Sequence, residues 1–197
     1  MTSVIDNRKG RVCPVSLAAG LDNRFRRWFQ NPVTILAPYV KDGMTVLDIG
    51  CGPGFFTLAL AEIVGESGHV IAADLQEGML EKLGNKIKRT ELENRISLHK
   101  CEGDRIKLTK SVDFVLAFYM VHEIPDKTGF FAEIFDLLKP EGQFLLVEPK
   151  LFHVSKKEFE NTVNNALSAG FEAVEKPRLL FSMAAVFKKA GAAEAKS

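Results

Sequence analysis

The stretch Val46-Leu47-Asp48-Ile49-Gly50-Cys51-Gly52-Pro53-Gly54-Phe55-Phe56 carries a short apolar run into three alternating glycines and then into a segment free of helix breakers. An apolar run that stops at glycine reads as a buried strand, and Phe55 to Val64 reads as the helix that follows it. Alternating glycines let a ligand approach the backbone with no side chain in the way. The next strand-like run, His69 to Ala73, ends at Asp74. An acid at a strand end about 20 residues beyond such a loop can accept both ribose hydroxyls of an adenine nucleoside.

Two ligand classes use this arrangement. A dinucleotide site wants G-x-G-x-x-G, with a pyrophosphate at the helix N-terminus. Here the glycines are Gly50, Gly52 and Gly54, and the position that would close the dinucleotide pattern is Phe55. Asp48 precedes the loop, where a carboxylate repels a pyrophosphate and suits an ammonium or a sulfonium. A loop that merely turns the chain explains less, because strand, loop, helix and acidic strand end all agree.

A second group with chemical potential follows the strand-like run Val112 to Phe118: Tyr119, Met120, His122 and Glu123. His122 titrates near neutrality and is a candidate general base; the alternative is that it caps or orients its loop. Glu148 and His153 follow the fifth strand, where each has a site role or a surface role. Cys13, Cys51 and Cys101 are widely spaced and include no C-x-x-C pair, which points away from a disulfide framework or a zinc site and towards reduced thiols in a cytoplasm. No metal is expected.

These groups need elements to hold them. Beyond the first two strands, Met79, Leu80, Leu83 and Ile87 recur at helical spacing, Ile96-Ser97-Leu98 is a weaker third strand, and Asp126 to Leu138 is a helix ended by Pro140 and Gly142. Phe130, Phe131, Ile134, Phe135 and Leu138 mark its buried side. Phe144 to Val147 is a fifth strand, and Phe159, Val163, Ala166 and Leu167 mark a helix stopped at Gly170. Phe171 to Val174 and Met183 to Phe187 have no helix between them and therefore pair as a hairpin or near-hairpin. The rhythm predicts an α/β fold with a seven-stranded, mostly parallel sheet, one antiparallel edge strand and helices on both faces. Residues 1–40 break the rhythm with short helical pieces, Asp22 to Phe29 and Pro32 to Tyr39, and read as an N-terminal helical cap over the carboxyl ends of the strands. Cys13, Arg24, Trp28 and Tyr39 fall in it. Residues 41–190 form the main domain and 191–197 a flexible tail.

With these residues in place, the chain from about Thr34 onward resembles the class I S-adenosylmethionine-dependent methyltransferases, whose sheet is Rossmann-like, and in particular their small-molecule branch of ubiquinone/menaquinone-biosynthesis-like enzymes. Val46 to Gly54 carries the likeness most specifically. The resemblance implies that Asp48, Gly50, Cys51, Gly52, Gly54 and Phe55 form the loop around the methionine part of the cofactor, and that Asp74 holds the ribose. It implies that Leu75 and Met79 flank the adenine, that Gly103-Asp104 supplies an acid for its amino group, and that Ala117 and Phe118 lie along the cofactor. Arg105 stands where many relatives have a small residue. Tyr119, His122 and Glu123 become the candidate catalytic residues, with Met120 also on the acceptor side.

The Asn/Asp-Pro-Pro-aromatic motif of amino-directed nucleic-acid methyltransferases is absent after the fourth strand, as is the glutamate pair of protein arginine methyltransferases. The net charge of +1 provides no field to attract a polyanion. Lys82, Lys86, Lys88 and Arg89 read as a solvated helix face. No apolar run approaches a membrane span. The expectation is a methyltransferase that uses S-adenosylmethionine on a small-molecule acceptor, without nucleic acid; oligomeric state is open. Alternatives are a nicotinamide-dependent oxidoreductase, opposed by Asp48 and Phe55, a cofactor-binding module without turnover, and an aminopropyl transferase, which lacks its cluster of acceptor-binding acids. A metalloid acceptor would need converging thiols, for which the spacing gives no sign.

Overall fold

The central strands read as unbroken apolar runs because both faces of the sheet are covered. In β1 (Thr45–Ile49), Val46 joins one core layer while Leu47 and Ile49 join the other. In β4 (Val112–Phe118), Phe114 and Leu116 belong to the first layer and Val115 and Ala117 to the second. Side chains alternate along each strand, yet every position but Thr45 and Asp113 is buried, so no polar period shows.

A computed structural model describes residues 30–103, 105–150 and 154–191. Its seven strands are completed by β2 (His69–Asp74), β3 (Ile96–Lys100), β5 (Leu138–Pro149), β6 (Phe171–Glu175) and β7 (Ser182–Lys189), in the order β3-β2-β1-β4-β5-β7-β6. The first five are parallel; β7 is antiparallel to both of its neighbours. The last two strands do pair directly, but β7 turns back into the gap beside β5. The antiparallel strand is thus one place in from the margin, and β6 is outermost.

Helices α1 (Pro32–Leu36), α2 (Thr57–Ile63) and α3 (Glu77–Ile87) cover one face, with Leu36, Leu60, Leu80 and Leu83 in its core layer. Helices α4 (Lys127–Leu137) and α5 (Lys156–Ser168) cover the other through Phe131, Ile134, Phe159 and Val163. The buried side of α3 is Met79, Leu80, Leu83 and Ile87, as the periodicity predicts, and Lys82, Lys86, Lys88 and Arg89 are exposed. In α5, Leu167 is 42% exposed, and Thr162 takes a place on the buried side.

Strand β5 starts earlier than its apolar run predicts. Leu138 leaves α4 directly into pairing with Val112; the register then shifts, and regular pairing resumes at Gln143 opposite Phe114. Of the helical pieces expected before residue 40, the second forms α1, begun by Asn31, whose side chain accepts from the N–H groups of Val33 and Thr34. Asp22 to Phe29, Cys13, Arg24 and Trp28 lie outside the described residues.

Strand β1 stands between β2 and β4, and the chain leaves it towards β2 first and reaches β4 later. Sheets of this kind bind ligands in the crevice beyond the carboxyl ends of the strands, where the winding direction reverses.

Candidate active site

That crevice is built on the glycine loop. Gly50 and Gly52 follow β1 with φ of +70° and +53°, in the left-handed region that glycine enters without steric strain. The N–H groups of Gly50 and Cys51 both donate to the Ala73 carbonyl, at 2.8 and 3.1 Å, and so fasten the loop to the tip of β2. A Cβ on Gly50 would lie 2.8 Å from Met120 Cγ, whereas one on Gly52 would meet nothing within 4 Å. The first glycine admits a neighbouring side chain; the second leaves the loop open.

Two buried carboxylates flank this opening. Asp74 Oδ2 accepts from Gly52 N at 2.9 Å and Oδ1 from Gln76 N at 2.8 Å. Burial raises its pKa, against the pull of these two donors and of Lys100. Asp48 Oδ2 accepts from Thr57 Oγ1 at 2.6 Å. Burial pushes Asp48 up to about 7; the Thr57 hydrogen bond opposes the shift and the charge of Asp74 adds to it.

The opening leads into a cavity whose empty space, including its solvent-facing mouth, is about 1270 Å³. Of the residues singled out from sequence, Asp48, Gly50, Cys51, Gly52, Phe55, Asp74, Leu75, Met79, Gly103, Phe118, Tyr119 and Glu123 line it. Gly54, Ala117 and His122 do not line it, and Asp104 lies outside the described residues. Met120, expected on the acceptor side, lines the cavity as well; Gln76, Cys101, Phe56, Ile106 and Ile124 also line it and were given no place in the site from sequence. Gln76 and Cys101 sit just beyond β2 and β3, so the rule that strand ends carry the site would have found both.

Cys51 and Cys101 thus converge on one cavity, which their spacing did not reveal. Burial raises the Cys51 thiol well above its ordinary value, with Asp48 and Asp74 adding to the shift; burial and then Asp74 push Cys101 up to about 11. Both remain thiols at neutral pH, which disfavours nucleophilic or metalloid chemistry.

The far wall comes from the end of β4. Tyr119 is left-handed at φ +60°, a conformation that costs a non-glycine residue roughly 1–2 kcal/mol. It is held by its N–H to the Val147 carbonyl at 2.8 Å and by its hydroxyl, 2.5 Å from Ser182 Oγ and 2.6 Å from Gln30 Nε2. A short turn, Val121–Glu123, follows. Glu148, only 1% exposed on β5, accepts from the His122 backbone N–H at 2.9 Å and faces His122 Nδ1 at 2.6 Å. Burial of His122 disfavours its charge, but Glu148, by hydrogen bond and by charge, together with Glu123, outweighs this and raises its pKa. His122 Nε2 is 4.0 Å from Glu123 Oε1. Glu148→Gln should therefore move the ring titration of His122 to lower pH; imidazole NMR signals assigned with a His122→Asn variant check this. An unmoved titration would mean that Glu148 does not set the charge of His122.

The arrangement can be compared with known proteins. Residues 40–187 match the family model described as a methyltransferase domain. The chain is 32% identical to a demethylmenaquinone methyltransferase of Lactobacillus johnsonii, over 67% of this chain and 52% of that protein. It is 33% identical to the one of Lactococcus lactis, over 64% and 50%. The chain spans about half the length of these curated relatives. Among solved structures, a SAM-dependent methyltransferase from Aquifex aeolicus superposes with a TM-score of 0.80 at 26% identity, covering 89% of this chain and 98% of that one. A TehB-like SAM-dependent methyltransferase from Corynebacterium glutamicum shares the fold, with a TM-score of 0.69 at 15% identity over 89% of this chain and all of the other. With its glycine loop, acidic β2 tip and seven-stranded sheet, the chain belongs to the methyltransferase-domain family and has the Rossmann-like fold of S-adenosylmethionine-dependent methyltransferases.

Proposed function

We propose that the protein transfers the methyl group of S-adenosylmethionine to a small-molecule acceptor. The observation that carries this reading is the clasp at the tips of β1 and β2: an open left-handed Gly52 donates its N–H to the buried Asp74 carboxylate beside an apolar cavity wall. The residues present fit the cofactor. A carboxylate has about four acceptor sites, so Asp74 can receive ribose hydroxyls beyond its bonds from Gly52 and Gln76. Leu75, Met79 and Ile106 offer apolar surface for the adenine, and Asp48 a carboxylate for the ammonium end. The relatives named demethylmenaquinone methyltransferases support a small acceptor, and the net charge of +1 gives no attraction for a polyanion. Among the described residues no helix is long and apolar enough to cross a membrane.

When bound, S-adenosylmethionine supplies a methyl group on a sulfonium, open to displacement by an acceptor atom. The chain's part is to align the acceptor, keep water out and receive a proton. Alignment alone can lower a barrier by roughly 7–11 kcal/mol, so no single side chain need dominate. Phe56, Phe118 and Ile124 provide the dry wall. Glu123, on the cavity wall, is the carboxylate placed to take the acceptor's proton. His122, tied to Glu148, acts as a positioning residue for it through the shared turn.

Asp48 makes binding depend on pH. An ammonium ligand favours its ionised form, so affinity for S-adenosylhomocysteine should rise as pH climbs through about 7, with proton uptake by the buffer. In the ligand-free protein the native state holds that proton more tightly than the unfolded chain. Asp48 then contributes stability present in acid that is lost as pH rises from 3.8 to about 7. Calorimetry in buffers of different ionisation enthalpy checks the first statement, and Asp48→Asn should abolish the proton transfer. Equal affinity on both sides of neutrality would remove Asp48 from the ligand's reach.

The cofactor itself is tested by titrating S-adenosylmethionine, S-adenosylhomocysteine and NAD separately into the protein. Binding of the first two without NAD supports the proposal and opens an acceptor screen by mass spectrometry. Binding of NAD alone overturns it.

A further inference from the structure

A second cavity adjoins the first. Residues at and before α1 and the β6–β7 connection enclose it, and Phe118 lines both. Its empty space, including what opens to solvent, is about 560 Å³.

The partition beside Phe118 is a directed chain of hydrogen bonds. Gln30 Nε2 donates to the Tyr119 hydroxyl, and Ser182 Oγ donates to the Leu180 carbonyl at 3.1 Å. Serine has one hydroxyl proton, and Leu180 receives it, so across the 2.5 Å contact Tyr119 is the donor and Ser182 the acceptor. Tyr119 holds this place in a left-handed conformation, and residues in such sparsely populated backbone regions cluster at sites of function. These bonds link the end of β4 to the start of β7 beside Phe118, the ring that lines both cavities.

The second cavity divides by chemistry. Ile35, Leu179 and Leu180 make an apolar side. Among the described residues, Arg178 is the one charged residue that lines it, and no carboxylate pairs with it. A guanidinium keeps its charge at any physiological pH and presents a planar fork that matches a carboxylate.

We infer that this second cavity is the acceptor subsite, and that Arg178 selects an acceptor with an apolar body and an anionic oxygen of the carboxylate kind. The inference rests on the methyltransferase reading, because it gives the first cavity to the cofactor. Phe118 lines both cavities, so an acceptor whose body sits in the second needs to pass only that ring to reach a ligand in the first.

The test uses the full chain saturated with S-adenosylhomocysteine, titrated calorimetrically with naphthoate and with naphthamide. The two probes share an apolar body and differ in charge. Naphthoate should bind at least about tenfold more tightly than naphthamide. Arg178→Ala should erase that difference while leaving S-adenosylhomocysteine affinity unchanged, and Arg178→Lys should restore only part of it. Arg178 is exposed, and melting curves of the variants verify that the fold is intact. Equal binding of the probes, naphthoate binding untouched by Arg178→Ala, or binding of neither probe to a protein that holds S-adenosylhomocysteine overturns the inference and leaves the cofactor reading standing. Failure of S-adenosylhomocysteine to bind the unaltered protein overturns that reading and this inference with it.

Discussion

Replacing Asp74 with alanine is expected to weaken S-adenosylhomocysteine binding by roughly 100-fold, the loss of charge-assisted hydrogen bonds to a ribose. The carboxylate has a second duty, since it accepts the N–H groups of Gly52 and Gln76. Alanine leaves both donors without that partner, so the empty protein should also melt at a lower temperature. Asp74→Asn separates the two roles. It keeps one acceptor oxygen and most of the size, and should recover more of the melting temperature than of the affinity. Calorimetry and thermal melts on the three proteins provide the comparison. An affinity unchanged in the alanine variant would place the ribose elsewhere and remove the basis of the proposed function.

The second large effect is a contrast between two glycines. Both Gly50 and Gly52 are left-handed, so alanine strains the backbone at each by roughly 1–2 kcal/mol. Only at Gly50 does the new methyl also strike a neighbour, since Met120 Cγ and Cβ would lie at 2.8 and 2.9 Å. Overpacking of this kind adds roughly 1–3 kcal/mol. Gly50→Ala should therefore lower the melting temperature by roughly 5–15 °C. At Gly52 the methyl enters open space. Gly52→Ala should melt much closer to the unaltered protein yet bind the cofactor poorly, because the methyl occupies ground the ligand needs. Equal melting temperatures would mean that Met120 moves aside without penalty. Normal binding by Gly52→Ala would mean that the ligand does not approach this peptide.

How far the site could be read from sequence depends on the range of the interactions. That the glycine loop, Asp48 and Asp74 line one cavity was legible because strand, turn and helix follow one another in a short segment and the next strand ends at Asp74. The core side of α3 was legible for the same reason: Met79, Leu80, Leu83 and Ile87 obey a local period. Partnerships across the sheet were not. Nothing near His122 in the sequence announces that Glu148 will take both its N–H and its ring nitrogen. Nothing near Tyr119 points to Ser182 or Gln30. The early start of β5 was hidden likewise, because Leu138 becomes a strand residue only by meeting Val112. The convergence of Cys51 and Cys101 needed β2 to stand between β1 and β3.

The place of β7 has a consequence for the order of assembly. Phe144 to Val147 in β5 are fully buried, and on one side they are covered by a strand, Ser182–Lys189, made much later in synthesis. Until that strand emerges from the ribosome, β5 presents a bare apolar edge, the kind of template on which nascent chains pair with one another. A chain interrupted before Ser182 would hold the whole glycine loop and both of its acids, yet would be prone to aggregate. Soluble yield is thus governed by a strand far in sequence from the chemistry, and slowing translation across the β6–β7 connection would lengthen the vulnerable interval.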